Sequence, residues 1–414
     1  MMKAYGRKSN IKKYNKTIYA CFTGYIVQAI VINFIPLLFI TFQQEYGIPL
    51  IKITFLVTIN FLLQLSVDFA AIFFVDKIGY RVSAILAHIF SATGFILLAT
   101  LPTIIDPFIG ILIAVVVYAN GGGLLEVVMS PIVEMLPTEN KGKAMSLLHS
   151  FYCWGHVGVI LFSTIFFAIF GIENWKILAL IWAIIPIING VAFLKVPIVN
   201  SKDLGHEPIK LKTLFTNKIF LVFMLIMVCS GASEQAIAQW ASALAEKSLG
   251  IDKMIGDLVG PMLFATSMGL SRMFHGKYAE KIKLKKFMIM SGWLAIILYL
   301  VIVFVPIPIV GLISCALSGF SVGIMWPGTF SMAASKIKGG GTAMFALLAL
   351  AGDLGCSLGP TVVGFISNNT NDNLKMGILG AVIFPIMVVV LTVYVNRLKK
   401  INPKQMGLKM KNDS

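Results

Sequence analysis

Asp76-Lys77-Ile78-Gly79-Tyr80-Arg81 separates two long apolar runs, and Glu280-Lys281-Ile282-Lys283-Leu284-Lys285 separates two others much further along the chain. Each opens with an acidic residue followed at once by lysine and isoleucine. Other landmarks recur in the same order. Met129-Ser130-Pro131 is matched by Met325-Trp326-Pro327, and Ala144-Met145 by Ala343-Met344. The offsets are 204, 196 and 199 residues. Landmarks that return at nearly one spacing describe a chain built from two equivalent halves.

The sequence around these landmarks needs lipid as its solvent. Of 414 residues, 58% are hydrophobic and only 13% charged, and the mean hydropathy is +0.88. Soluble domains carry roughly 25% charged residues. A helix crosses the hydrocarbon in about 20 residues, and backbone groups there must bond within their own segment or a closed barrel. The runs are continuous, without polar–apolar alternation, so they predict helices. Twelve spans follow: 17–42, 51–75, 82–101, 107–131, 146–170, 176–195, 219–245, 256–275, 286–304, 308–334, 342–366 and 374–396. The polar stretch 196–218 divides them six and six. The expected fold is therefore an all-α membrane protein with twelve transmembrane helices in two pseudo-symmetric six-helix bundles. Residues 1–195 form the first bundle, 196–218 a cytoplasmic linker, and 219–414 the second bundle with a basic tail.

The net charge of +16 raises nucleic acid as a partner, but its placement points elsewhere. Of the 34 Lys and Arg, 29 lie in the termini and in alternate loops, and five (Lys52, Lys176, Lys247, Lys253, Lys375) in the opposite loops. The positive-inside rule then puts both termini and the linker in the cytoplasm. The cluster Lys281 to Lys286 and the tail Arg397-Leu398-Lys399-Lys400 suit contact with anionic lipid. The first apolar run is too long for a signal peptide's core and lacks a small-residue cleavage site, so it is expected to remain as a span.

Motifs for other chemistries are missing from the sequence. There is no phosphate loop, no His-Glu-x-x-His zinc motif and no Gly-x-Ser-x-Gly elbow. Gly121-Gly122-Gly123 follows an apolar helical run rather than a strand, which suits close helix packing. Cys21, Cys153, Cys229, Cys315 and Cys356 fall inside spans without metal-ligand spacing and read as free apolar residues. No cofactor or metal is expected, and the chain does not read as an enzyme.

Ionisable groups at membrane depth are costly and few, so each is a functional candidate. Glu126 stands among glycine and aliphatic residues in the fourth span, where a carboxyl suits proton carriage. Glu234, Gln235, Gln239 and Trp240 lie in the seventh. Gln235 and Gln239 are one turn apart, and an aromatic ring beside paired amides is what a sugar site needs. Asn60, Gln64 and Asp68 recur every four residues in the second span. His149, Tyr152 and His156 share a face of the fifth, and imidazoles suit proton relay. Asp353, Ser357 and Pro360 share a face of the eleventh, with Asp353 a coupling candidate. Gln28, Asn33 and Asn120 complete the polar set, while His88 reads as structural. The bland alternative for each is packing between helices.

The loop Asp76 to Arg81 resembles the signature that follows the second helix in the major facilitator superfamily, Gly-x-x-x-Asp-Arg/Lys-x-Gly-Arg-Arg/Lys. Ile72 stands where that pattern opens with glycine. The resemblance extends from Thr17 to Arg397 and implies a gating role for Asp76, Gly79 and Arg81. Two stretches are similar to the superfamily's fucose–proton symporter branch: Leu147-Leu-His149-Ser-Phe-Tyr-Cys-Trp154-Gly155, and Gly231-Ala-Ser-Glu234 followed by Trp240. Glu126 stands at the place of that branch's proton-linked glutamate. The branch's helix-one aspartate has no counterpart here, where the first span offers Gln28 and Asn33.

The resemblance implies secondary transport by alternating access in the plasma membrane, with a sugar or similar small polar solute taken up with a proton by a monomeric chain. The site is expected near mid-membrane between the halves. Small-molecule substrate, protons and lipid are the expected partners, and nucleic acid is not. The first alternative is efflux of amphipathic compounds through a cavity lined by some of the 30 Phe and 20 Met. The second is a transporter-like sensor or membrane enzyme, against which the missing nucleophile and metal motifs argue.

Overall fold

A computed structural model describes residues 2–138, 140–199, 211–241, 253–337, 340–371 and 373–398, and these are almost wholly helical. Eleven helices among the described residues are long and apolar enough to cross a membrane. The chain forms two compact units. One comprises Met1–Glu139 with Phe151–Gly205, and the other Asn140–Ser150 with His206–Ser414.

The first unit begins with α1 (Met2–Asn33), followed by a 3-10 turn over Ile35–Leu38 and α2 (Phe39–Tyr46). The expected first span, 17–42, is thus broken after Asn33. Pro36 opens the turn, because a proline ring cannot follow an uninterrupted helix without displacing the carbonyl four residues back. Next come α3 (Leu50–Ile78), α4 (Tyr80–Thr100), α5 (Pro107–Met135), α6 (Lys141–Phe170), whose first ten residues belong to the second unit, and α7 (Trp175–Lys195). Asp106 caps α5, accepting the Ile109 N–H at 3.0 Å. The core gathers Ile30, Phe34, Phe42, Phe95, Tyr118, Trp175 and Trp182, with Phe95 stacked on Tyr118 at 5.4 Å.

The glycine triplet positions α5. A Cβ at Gly121 would strike Ser91 Oγ and the Ala87 carbonyl of α4; one at Gly122 would lie 2.8 Å from Val31 of α1, and one at Gly123 3.0 Å from Val67 of α3. Three consecutive residues thus admit three different helices. Burial of the backbone, not a turn, explains them.

The second unit contains α8 (Leu211–Thr216), α9 (Lys218–Ala238), α10 (Lys253–Tyr278), α11 (Leu284–Phe304), α12 (Pro308–Val322), α13 (Met325–Lys336), α14 (Gly341–Asn368), α15 (Leu374–Ala381) and α16 (Ile383–Arg397). Two apolar spans are interrupted, between α12 and α13 and between α15 and α16. Pro327 and Pro385 follow these breaks, and the carbonyls they would crowd belong to Gly323 and Ala381, at the breaks themselves. Helices α9 and α14 pack most intimately. A Cβ at Gly231 would meet the Gly352 carbonyl, and one at Gly355 the Val228 carbonyl.

Two expected spans differ in detail. The seventh span, expected to reach 245, is interrupted after Ala238: Gln239 and Trp240 form a turn, Ala241 is helical again, and 242–245 lie outside the described residues. The eighth, 256–275, is helical within α10 but is not among the eleven strongly apolar helices. Asp257, Arg272, His275 and Lys277 make it the most polar of the long helices of this unit. The linker residues Lys202 to Pro208, and the tail from Lys399 onward, lie outside the described residues. Side chains such as Ile188 (65% exposed), Ile169 (67%) and Phe365 (70%) form the apolar outer surface that a bilayer would cover.

Candidate functional site

Each unit carries its own polar cluster. In the first, Gln28 of α1 donates from Nε2 to Glu126 Oε2 of α5 at 2.7 Å. The contact is possible because Gly122 lets α1 and α5 approach. Gln64 of α3 lies against the same glycines, with its Cδ 3.9 Å from the Cβ position of Gly122. Gln28, Asn60 and Gln64 are buried. Gln28 Oε1, Asn60 Oδ1 and Gln64 Nε2 are buried polar atoms without a hydrogen-bond partner. Each such atom costs about 1–3 kcal/mol unless something fills it; Gln28 lies beside the carboxylate, Gln64 against the same glycines and Asn60 one turn before Gln64 on α3, which makes one donor and two acceptors available to a polar ligand. One turn from Glu126, Tyr25 and Ser130 hydroxyls meet at 3.0 Å.

Asn33 and Asn120 are partly engaged already. Asn33 Nδ2 donates to the Ala29 carbonyl at 2.8 Å and Asn120 Nδ2 to the Val116 carbonyl at 2.7 Å, each within its own helix. His88 is built into the packing, as its sequence context suggests. Its Nδ1 pairs with the Ala84 carbonyl at 2.6 Å and its Nε2 with Asn189 Nδ2 at 2.7 Å, while Asn189 also donates to the Ala20 carbonyl.

In the second unit, Arg272 of α10 organises the cluster. It is 3% exposed. Its Nε donates to the Gly323 carbonyl at 2.7 Å, its Nη1 to the His149 carbonyl at 2.9 Å, and its Nη2 lies 3.6 Å from Glu234 Oε2. Glu234 is therefore held by an ion pair. A turn away, Ser146 Oγ meets His275 Nδ1 at 2.7 Å. The His149 ring lies 5.6 Å from Phe330. Gln239 Nε2 donates to Gln235 Oε1 at 3.3 Å, so the two amides pair with each other. Trp240 packs its ring by Gly364 and keeps a buried Nε1 without a partner. Tyr152 and Asp353 are half-buried on α6 and α14, and the Asp353 carbonyl accepts the Ser357 hydroxyl at 3.2 Å.

The signature loop has a clear local geometry. Gly79 adopts φ 87° and ψ 154°, a conformation that a Cβ disfavours. It joins α3, with Asp76 in its last turn, directly to α4. Arg81 then reaches the end of α7, donating to the carbonyls of Phe193 (2.6 Å), Leu194 (2.7 Å) and Val196 (2.8 Å). The second unit does the same with another residue. Lys336 Nζ donates to the Val395 and Leu398 carbonyls, both at 2.7 Å, at the end of α16. In both cases a cation satisfies orphan carbonyls at the negative end of a helix.

Sequence reasoning counted Arg272 and Lys336 only as loop charges and passed over Ser146 and His275. The usable signal was two basic residues and a histidine close to apolar runs, since charges at such depth need partners.

A model of the Major Facilitator Superfamily matches residues 20–360. The chain belongs to this superfamily. Among solved members, its fold is similar to that of the E. coli fucose:proton symporter FucP, with a TM-score of 0.80 and 15% identity over 92% of this chain and 99% of that one. The same values hold for FucP in the outward conformation. The proton:xylose symporter XylE bound to 6-bromo-6-deoxy-D-glucose gives a TM-score of 0.76 and 12% identity over 95% and 96% of the two chains. At these identities the likeness is one of fold. No curated protein matches the chain by sequence. The superfamily's two-part architecture accounts for the repeated landmarks and for the division into two compact units.

Proposed function

We propose that this superfamily member is a secondary active transporter of the plasma membrane that takes up a small polyhydroxylated solute, a sugar, with a proton, and that its termini are cytoplasmic. The observation that carries the reading is the Gln28–Glu126 contact at 2.7 Å, beside the buried and unpartnered amide atoms of Gln28, Asn60 and Gln64. A hydroxylated ligand supplies the donors and acceptors those amides lack. Glu126 is the proton carrier. Protonation removes its charge and weakens its hold on Gln28, which frees the amide for the ligand. Binding of the proton and of the solute are then linked through one side chain. Trp240 offers a stacking face, and exposure of the polar groups to alternate sides completes the cycle.

The test is transport by Glu126→Gln in proteoliposomes across a panel of monosaccharides. The amide imitates the protonated carboxyl and still accepts from Gln28. Counterflow exchange is expected to survive, because it needs no net proton movement, whereas uphill accumulation under a proton gradient is expected to vanish. Accumulation retained by the variant would remove Glu126 from the coupling role. A panel in which only amphipathic amines move would favour efflux instead.

A further inference from the structure

A groove of about 640 Å³ lies within the second unit, along the start of α6 and the end of α10. Its chemistry is layered. Lys143, in the first turn of α6, and Lys277, in the last turn of α10, stand at one end. Leu147 lies one turn further into α6, about 6 Å along the axis, and Leu270 two turns back along α10, about 10 Å from Lys277. Phe274 and Phe320 complete the apolar part of the lining. Leu270 and Phe274 are 48% and 39% exposed, so the groove opens on the surface that faces lipid. A Cβ at Gly276 would lie 2.9 Å from Leu147, so glycine keeps the two helices close along the groove floor.

We propose that this groove binds an anionic phospholipid. The two ammonium groups face the phosphate, and the acyl chains run over Leu147, Leu270 and the phenylalanines. The separation of cationic and apolar lining, about 6–10 Å, matches the step from headgroup to acyl layer. Both lysines belong to the basic loops, and anionic lipid concentrates in the leaflet that such loops face. A soluble anion would use the lysines but not the apolar wall, and a neutral lipid would use the wall but not the lysines. The lipid would lie beside the Ser146–His275 contact and brace the start of α6 against α10. This inference does not depend on the transported solute.

The test is native mass spectrometry of the full-length protein in detergent, titrated separately with phosphatidylglycerol and phosphatidylcholine. Wild type is expected to prefer phosphatidylglycerol. Basic residues near an anionic headgroup contribute about fivefold each, so K143Q/K277Q should lose roughly thirtyfold in affinity for phosphatidylglycerol. K285Q/K286Q removes the same charge from a neighbouring exposed site and should lose far less. Inorganic phosphate should compete no better than chloride at equal ionic strength. Three results would overturn the proposal: equal binding of the two lipids by wild type, equal losses in the two double variants, or displacement by phosphate alone. The wild-type comparison decides even if a variant fails to fold.

Discussion

Substituting the two members of the Arg272–Glu234 pair should have unequal consequences. Glu234→Gln leaves Arg272 with the Gly323 and His149 carbonyls, at 2.7 and 2.9 Å. The remaining cation is still solvated by protein, so the cost is that of a weakened charge-assisted contact, about 1–2 kcal/mol. Arg272→Met strands the Glu234 carboxyl, which is 9% exposed, and unties both carbonyls. Breaking a buried pair from one side costs about 3–5 kcal/mol. The double variant removes the stranded charge and should recover about 2 kcal/mol relative to Arg272→Met alone. Thermal unfolding can be followed with a thiol-reactive dye, since Cys21, Cys153, Cys229 and Cys315 are buried in the folded protein. If the double variant is as unstable as the sum of the singles, the two side chains do not act on each other, and the 3.6 Å separation is mere adjacency.

Arg81→Met should destabilise the first unit by about 1.5–3 kcal/mol through loss of the α7 cap, while Arg81→Lys should restore part of it, as Lys336 caps α16 with an ammonium; a lysine variant no more stable than the methionine one would rule the cap out. Gly121→Ala should cost about 1–3 kcal/mol by overpacking against Ser91 and Ala87, whereas Gly158→Ala, with nothing within 4 Å of its Cβ position, should be neutral or stabilising by up to about 1 kcal/mol. Equal melting temperatures for these two would contradict the packing described for α5. Trp240→Ala should weaken sugar binding more than Trp182→Ala, yet Trp182→Ala should lose more stability, because Trp182 is 6% exposed and packs edge-on to Phe162 at 5.2 Å. Isothermal titration beside melting curves separates the two effects, and matching affinities would exclude Trp240 from the site.

The helices could be read from the sequence because lipid leaves the backbone so few options. Their interruptions could not. Hydropathy averaged over a span does not register which carbonyl Pro327 or Pro385 displaces. The same holds for partners. Glu126 stands out by its own surroundings, and Gln28 was a candidate, but that the two touch depends on glycines in α5 whose neighbours no local pattern names. Glu234 was a candidate ligand contact, and its ion pair could not be read because its partner is far away in the chain, where Arg272 looked like one more basic loop residue. Gln235 and Gln239 were correctly placed one turn apart. The turn at Gln239 and Trp240 was hidden because the apolar composition runs on past it.

The glycine triplet acts as a gauge for α5. Rotating that helix by one residue would bring Asn120 or Leu124 against a neighbour that tolerates no side chain, and sliding it by one residue would shift it about 1.5 Å along its axis with the same result. Both its turn and its depth are therefore indexed by positions 121–123. Glu126 sits one turn from that index mark, so the position of the carboxylate along the helix axis is fixed by three residues that carry no charge and donate no side-chain hydrogen bond.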